Sequence, residues 1–186
     1  MKTWVKTWFK RCMPRIVWDY IQYRQAVANL GDAAGQRAEQ FRKLLEDSRS
    51  KRCLQIGARN AKLGEHWVCA DLYDMADYVD YHYDIHDLKF ADEEFDVVVC
   101  GAILEHVEDP PKAISELRRV LKPGGLIWVE VPFNHHYHPA PKDHWRVSPT
   151  GLCIWMKDFA HIASGLFTRN GSPLHTAVFF FGSKRQ

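Results

Sequence analysis

The sequence predicts a doubly wound α/β domain whose mostly parallel sheet is closed by an antiparallel pair of strands near its C-terminal end. The first observation is the stretch 96–100, whose 97–99 run is β-branched and which shows no polar alternation. That pattern suits a strand buried on both faces of a parallel sheet. The second is the helix and strand that follow it, which complete a β-α-β unit. The third is Asn170-Gly171, a strong hairpin signal, lying between two apolar strand patterns at 159–167 and 175–181.

The elements can be justified in chain order. Residues 1–24 carry six basic side chains (Lys2, Lys6, Lys10, Arg11, Arg15, Arg24) against one acid, Asp19. Trp4, Val5, Trp8, Phe9, Cys12 and Met13 fall at helical spacing on one side. This is a basic amphipathic helix with aromatic anchors. It reads either as a peripheral contact with an anionic membrane surface or as a helix packed on the domain or on a second copy in a homodimer. Pro14 interrupts it. Ile16, Val17, Tyr20, Ile21, Val27 and Ala28 suggest a second helix. After a break at 31–35, Ala38, Phe41, Leu44 and Leu45 form a third, so residues 1–50 are expected as a helical segment packing on an α/β domain at 51–186.

Residues 53–57 read as the first strand, 67–70 as the second and 78–83 as the third. Only nine residues separate Gly57 from Trp67, so the first crossover has room for about one helical turn. Asp109 is a suitable N-cap for a helix opening on Pro110 and Pro111. Its apolar stripe is Ala113, Ile114, Leu117, Val120 and Leu121, with Lys112, Glu116, Arg118 and Arg119 expected to face water. Lys122-Pro123-Gly124-Gly125 should stop that helix, with the next strand at 126–131 and a short helix from Pro149 to about Lys157.

Composition excludes several classes. A chain of 186 residues with a net charge of +2 and 26% charged residues fits one domain and has no excess of one sign to drive nucleic-acid binding. The five cysteines are odd in number and widely spaced; Cys53, Cys69 and Cys100 lie in or beside core strands, which indicates buried reduced thiols and a cytoplasmic location. No apolar run of transmembrane length is present, and the basic residues near the N-terminus interrupt any signal-peptide core.

In such a sheet the ligand lies beyond the carboxyl ends of the strands. The loop 101–110 sits there and contains Glu105 and His106. The loop after residue 132 carries His135, His136, His138 and His144 with Tyr137, Asp143 and Arg146. Imidazole titrates near neutral pH and suits a general base, so His106, His135 and Asp143 are the candidate catalytic groups. Glu105, Tyr137 and Arg146 are candidates for substrate contact, and Arg146 can equally pair with Asp143. His135, His138 and Asp143 match no firm metal-ligand spacing, and no metal is expected.

The stretch FDVVVCGAILEHVEDPPKAISELRRVLKPGG closely resembles the fourth strand, following helix and fifth-strand turn of class I S-adenosylmethionine (SAM) dependent methyltransferases, type 11 in particular. The resemblance is specific over about forty residues and looser over 54–181. It implies a Rossmann-like class I methyltransferase fold, compact in its early crossovers, with SAM as cofactor and methyl transfer to a small-molecule, sugar or lipid-linked acceptor. It also implies a cofactor site at Gln55, Gly57, Asp71 with Leu72 beside it, and Asp84 with Ile85: Asp71 for the ribose hydroxyls, Asp84 for the adenine amino group, Ile85 against the ring. Gln55 stands where the family has an acid, and Gly57-Ala58-Arg59-Asn60 keeps one glycine of a glycine-rich turn. Those departures leave open a methyltransferase-like scaffold or regulatory protein without catalysis, or a membrane-surface adaptor.

Overall fold

The structure is a computed structural model that describes Pro14, Val17, Tyr20, Ile21 and residues 33–58, 61–168 and 175–186. The basic helix expected at 1–13, most of the second helix and the Asn170-Gly171 turn lie outside the described residues. Contacts divide the chain into Met1–Asp32 and Ala33–Gln186, and the second unit carries the fold. Among the described residues no helix is long and apolar enough to cross a membrane.

The second unit contains α1 (Ala33–Asp47), β1 (Cys53–Ile56), β2 (Trp67–Ala70), β3 (Phe95–Gly101), α2 (Pro110–Val120), β4 (Leu121–Asn134), α3 (Pro149–Trp155), β5 (Phe159–Thr168) and β6 (Thr176–Lys184). The strands form one six-stranded sheet in the order β2-β1-β3-β4-β6-β5. The first four are parallel, and β6 pairs antiparallel with both β4 and β5. Every residue of β1 is buried, and β3 is buried throughout except at Asp96, as an apolar run in a two-sided parallel sheet requires. One face holds Leu44 of α1 in a cluster with Cys53, Trp67, Val97, Trp128, Phe167 and Phe179, where Trp128 stacks on Phe179. Burying each such large side chain contributes about 1.5–3 kcal/mol.

Helix α1 is longer than expected and runs through Gly35. Arg37 fixes it from below: its Nε donates to the buried Glu130 carboxylate at 2.8 Å, and its guanidinium lies 4.4 Å from the Phe167 ring centroid. Helix α2 begins where the sequence places it. The Asp109 side chain accepts from Lys112 N at 3.1 Å, and Pro110, Ala113, Ile114, Leu117 and Val120 are buried.

Three expectations need correction. The third strand is reduced to one parallel bridge, Ala70–Tyr81. A ladder does not extend there because the Asp80 carboxylate accepts from Cys69 N at 2.8 Å, taking an amide that a neighbouring strand would use. Strand β4 starts at Leu121, directly after the helix, and absorbs Lys122-Pro123-Gly124-Gly125 as an irregularity between two pairings with β3; Gly124, at φ +74°, makes the turn. Glu116 and Arg119 are not simply solvated. Glu116 accepts from Leu88 N, and Arg119 donates to the carbonyls of Leu88 and Phe90, so α2 braces the segment that delivers Asp84 and Ile85.

Candidate active site

A cavity of about 610 Å³ opens at the carboxyl ends of β1, β2 and β3, within the size range of small-molecule sites. Its walls come from chain segments far apart in sequence: Gly57 and Ala58 after β1, Asp71 and Leu72 after β2, Asp84–His86 after the bridge, Ile103 and His106 after β3, and Pro141 with Lys142 from the loop after β4. Gly57 has φ +90°, and a Cβ built on it would stand 2.6 Å from Ile103 Cδ1. The one glycine kept in this turn is therefore required twice over, for its backbone conformation and for close packing. Among the described residues between β1 and β2 there is no helix, consistent with the short spacing.

Of the residues expected around a cofactor, Gly57, Asp71, Leu72, Asp84 and Ile85 line the cavity and Gln55 does not. Gln55 is buried in β1. Its Nε2 donates to the carbonyls of Gly57 (2.9 Å) and Ala61 (3.1 Å), and its Oε1 accepts from Leu63 N at 2.8 Å. An amide both donates and accepts, which a carboxylate cannot, so Gln55 staples the loop from inside rather than facing a ligand. Asp71 also has a structural task. Oδ2 accepts from Ala58 N, and Oδ1 accepts from Tyr73 N and Asp74 N, all at 2.9 Å. This leaves about one of its roughly four acceptor positions for a ligand. Asp84 is exposed. Its Oδ1 accepts from His86 N at 2.8 Å and contacts His86 Nδ1 at 2.7 Å, while Oδ2 has no hydrogen-bond partner among the described residues. Partial burial pulls the Asp84 pKa up, but the two His86 contacts outweigh it and hold the carboxylate below its ordinary value. Ile85 is buried against the cavity wall.

The opposite wall is the histidine-rich loop, tied to the loop after β3. His144 N and Trp145 N both donate to the Glu105 carbonyl (2.7 and 3.2 Å), and the Trp145 indole donates to the Val107 carbonyl at 2.9 Å. His106 lines the cavity, with Nδ1 2.5 Å from the Lys142 carbonyl. Glu105 points away from the cavity. Its side chain is fully buried, with Oε1 3.8 Å from His106 Nε2 and 3.9 Å from His138 Nε2.

The remaining candidates do not reach the cavity. Asp143 is buried and takes a bidentate bond from Arg146 (2.6 and 2.7 Å), which holds its carboxyl far below the usual carboxylate range; so weak a base is unsuited to accepting a proton. Arg146 spends all five N–H donors on Asp143 and the carbonyls of His135, His136 and Trp145, which leaves none for a substrate. His135 packs at tilted angles against the rings of His136, His138 and His175, and burial pushes its pKa down. Tyr137 is 71% exposed, facing solvent. Sequence reasoning missed Ile103, His86, Pro141 and Lys142. His86 had a local signal, two residues after Asp84; the others reach the cavity only through tertiary packing.

A methyltransferase-domain family model matches residues 38–129. The chain is 48% identical over 87 residues to the human thiol S-methyltransferase TMT1B, covering 43% of this chain and 36% of that protein. It is 38% identical over 78 residues to the demethylmenaquinone methyltransferase of Staphylococcus saprophyticus, covering 42% of this chain and 29% of the relative. The chain thus spans little more than a third of these relatives at most. Among solved structures, the 1,6-didemethyltoxoflavin-N1-methyltransferase of Burkholderia thailandensis, with bound 1,6-didemethyltoxoflavin and S-adenosylhomocysteine, superposes with a TM-score of 0.64 over 94% of this chain and 92% of that chain, at 14% identity. Residues 38–129 of this chain thus match the methyltransferase-domain family, and its fold is the class I methyltransferase fold.

Proposed function

We propose that the protein is a SAM-dependent methyltransferase acting on a small-molecule, sugar or lipid-linked acceptor. The observation that carries this reading is the convergence of Gly57, Asp71 and Asp84–Ile85 on one wall of a single cavity. The residues fit the cofactor. Gly57 keeps the wall open, Asp71 retains an acceptor position for a ribose hydroxyl, Asp84 Oδ2 is available to an amino group, and Ile85 offers an apolar surface. When bound, SAM supplies an electrophilic sulfonium methyl group. The protein's contribution is then alignment of an acceptor in line with that methyl, against the facing wall that carries His106. The buried cysteine thiols support a reducing compartment for this activity.

A non-catalytic scaffold is the second reading, and the Asp71 carboxylate favours it, because a residue committed to three backbone amides holds ribose less well. Calorimetric titration with SAM and S-adenosylhomocysteine separates the two. Saturable micromolar binding supports the enzyme, and absence of heat at millimolar ligand supports the scaffold.

A further inference from the structure

Behind the cavity wall, three side chains converge that the cofactor site does not use. Glu105 Oε1, His106 Nε2 and His138 Nε2 lie within 4.8 Å of one another. Both imidazoles are oriented in the same way. His106 Nδ1 faces the Lys142 carbonyl at 2.5 Å, and His138 Nδ1 faces the His136 carbonyl at 3.0 Å with Asp143 Oδ2 at 3.3 Å. These oxygens only accept, so Nδ1 carries the proton in each ring and Nε2 of the neutral imidazole presents a lone pair. The Arg146 guanidinium, 3.2 Å from His138 Nδ1, does not alter this, since its hydrogens are already directed to His136 and Asp143.

We infer that Glu105, His106 and His138 form a binding site for a divalent transition-metal ion. A divalent cation between these three atoms would accept both imidazole nitrogens and the carboxylate oxygen at once. The separations of 3.8 and 3.9 Å are too long for hydrogen bonds. They exceed by only a few tenths of an ångström the edge of roughly 3.4 Å expected between ligands around a tetrahedral ion bound at about 2.1 Å. Two nitrogens and one oxygen suit zinc, or iron(II), manganese and cobalt in its place, better than magnesium or calcium. The orienting groups that metal-bound histidines require are present, namely carbonyls on both Nδ1 atoms and the Arg146-locked Asp143 behind His138. Three protein ligands leave a coordination position open, and His106 borders the cavity, so that position belongs on the cavity side. Resting on the methyl-transfer reading, an acceptor hydroxyl or thiol bound at this position would be made more acidic by the metal and would release its proton to solvent in the cavity, leaving the oxygen or sulfur anion as nucleophile. The metal site itself is independent of that reading.

The test uses the full chain, stripped with EDTA and titrated with cobalt(II) and zinc without SAM. The expected result is one cobalt ion per chain with the visible absorption of a four- or five-coordinate site, displaced by one equivalent of zinc. Zinc affinity should fall at least about 100-fold in His106→Ala, His138→Ala and Glu105→Gln, and should change less than about threefold in His136→Ala and His175→Ala. Thermal melts in EDTA identify any variant that fails to fold; the two partly exposed histidines keep the test valid if Glu105→Gln is one. Binding that survives loss of His106 and His138, binding abolished by His175→Ala, or no binding at 100-fold molar excess of zinc would each overturn the assignment.

Discussion

Gly57 and Ile103 hold the loops after β1 and β3 in register: no atom larger than hydrogen fits between the Gly57 α-carbon and the Ile103 side chain. Gly57→Ala therefore strains the left-handed backbone, at a cost of about 1–2 kcal/mol, and displaces a residue that lines the cavity. Urea denaturation should show the stability loss, and S-adenosylhomocysteine titration a weaker or absent site. Adding Ile103→Ala should recover the steric part of the loss and leave the backbone part.

Asp84 and Asp71 should separate binding from folding. Asp84 is exposed and, among the described residues, bonded only within its own turn, so Asp84→Ala should weaken S-adenosylhomocysteine by roughly 10- to 100-fold, the value of a hydrogen bond to a charged group, with an unchanged melting temperature. Asp71→Ala deprives three backbone amides of their acceptor and should lower stability by about 1–3 kcal/mol even without ligand. Equal stability of the two variants would show that Asp71 does not hold the loops.

Asp96 contributes an acid-sensitive part of stability. Its Oδ1 accepts from Lys122 Nζ at 2.7 Å and its Oδ2 from Arg52 N at 3.0 Å. The Lys122 bond is the main reason its folded pKa lies below the ordinary value. A depressed folded pKa means stability that is complete above the unfolded value of about 3.9 and lost as pH falls through the folded one. Wild type should exceed Asp96→Asn by about 1 kcal/mol at pH 7, a modest figure because both partners are part-exposed, and the difference should close below pH 4 in urea titrations. A difference that does not vary with pH would contradict this.

Cys53 and Cys69 should be inert in the native state. Burial, the largest influence on each, pushes both thiols up to about 11, and only the thiolate is a nucleophile. Iodoacetamide at pH 8 should label neither within the time that labels both in urea, as read by peptide mass spectrometry. Native labelling at the denatured rate would show that β1 and β2 open readily.

Where the information was local, the sequence was readable. The apolar run of β3, the Asp109 cap, the stripe of α2, the short first crossover and the antiparallel ending all follow from periodicity and turn chemistry within a few residues. Asp80 closing the sheet edge and Glu116 with Arg119 gripping the 88–90 segment did not, because each depends on an amide or carbonyl supplied by a distant segment.

The same division holds for the site. The sequence by itself determined a parallel α/β sheet with its ligand edge after β1, β2 and β3, and it named six of the cavity residues, His106 among them, since those positions follow strand ends. Only the tertiary structure decided which polar groups are already spent. Gln55 is turned inward on its own loop, Arg146 has no donor left, Asp143 is locked beneath it, and Glu105 faces His106 and His138 rather than the cavity. A residue's type sets which bonds it can make, but the number still available to a ligand depends on neighbours brought together by folding.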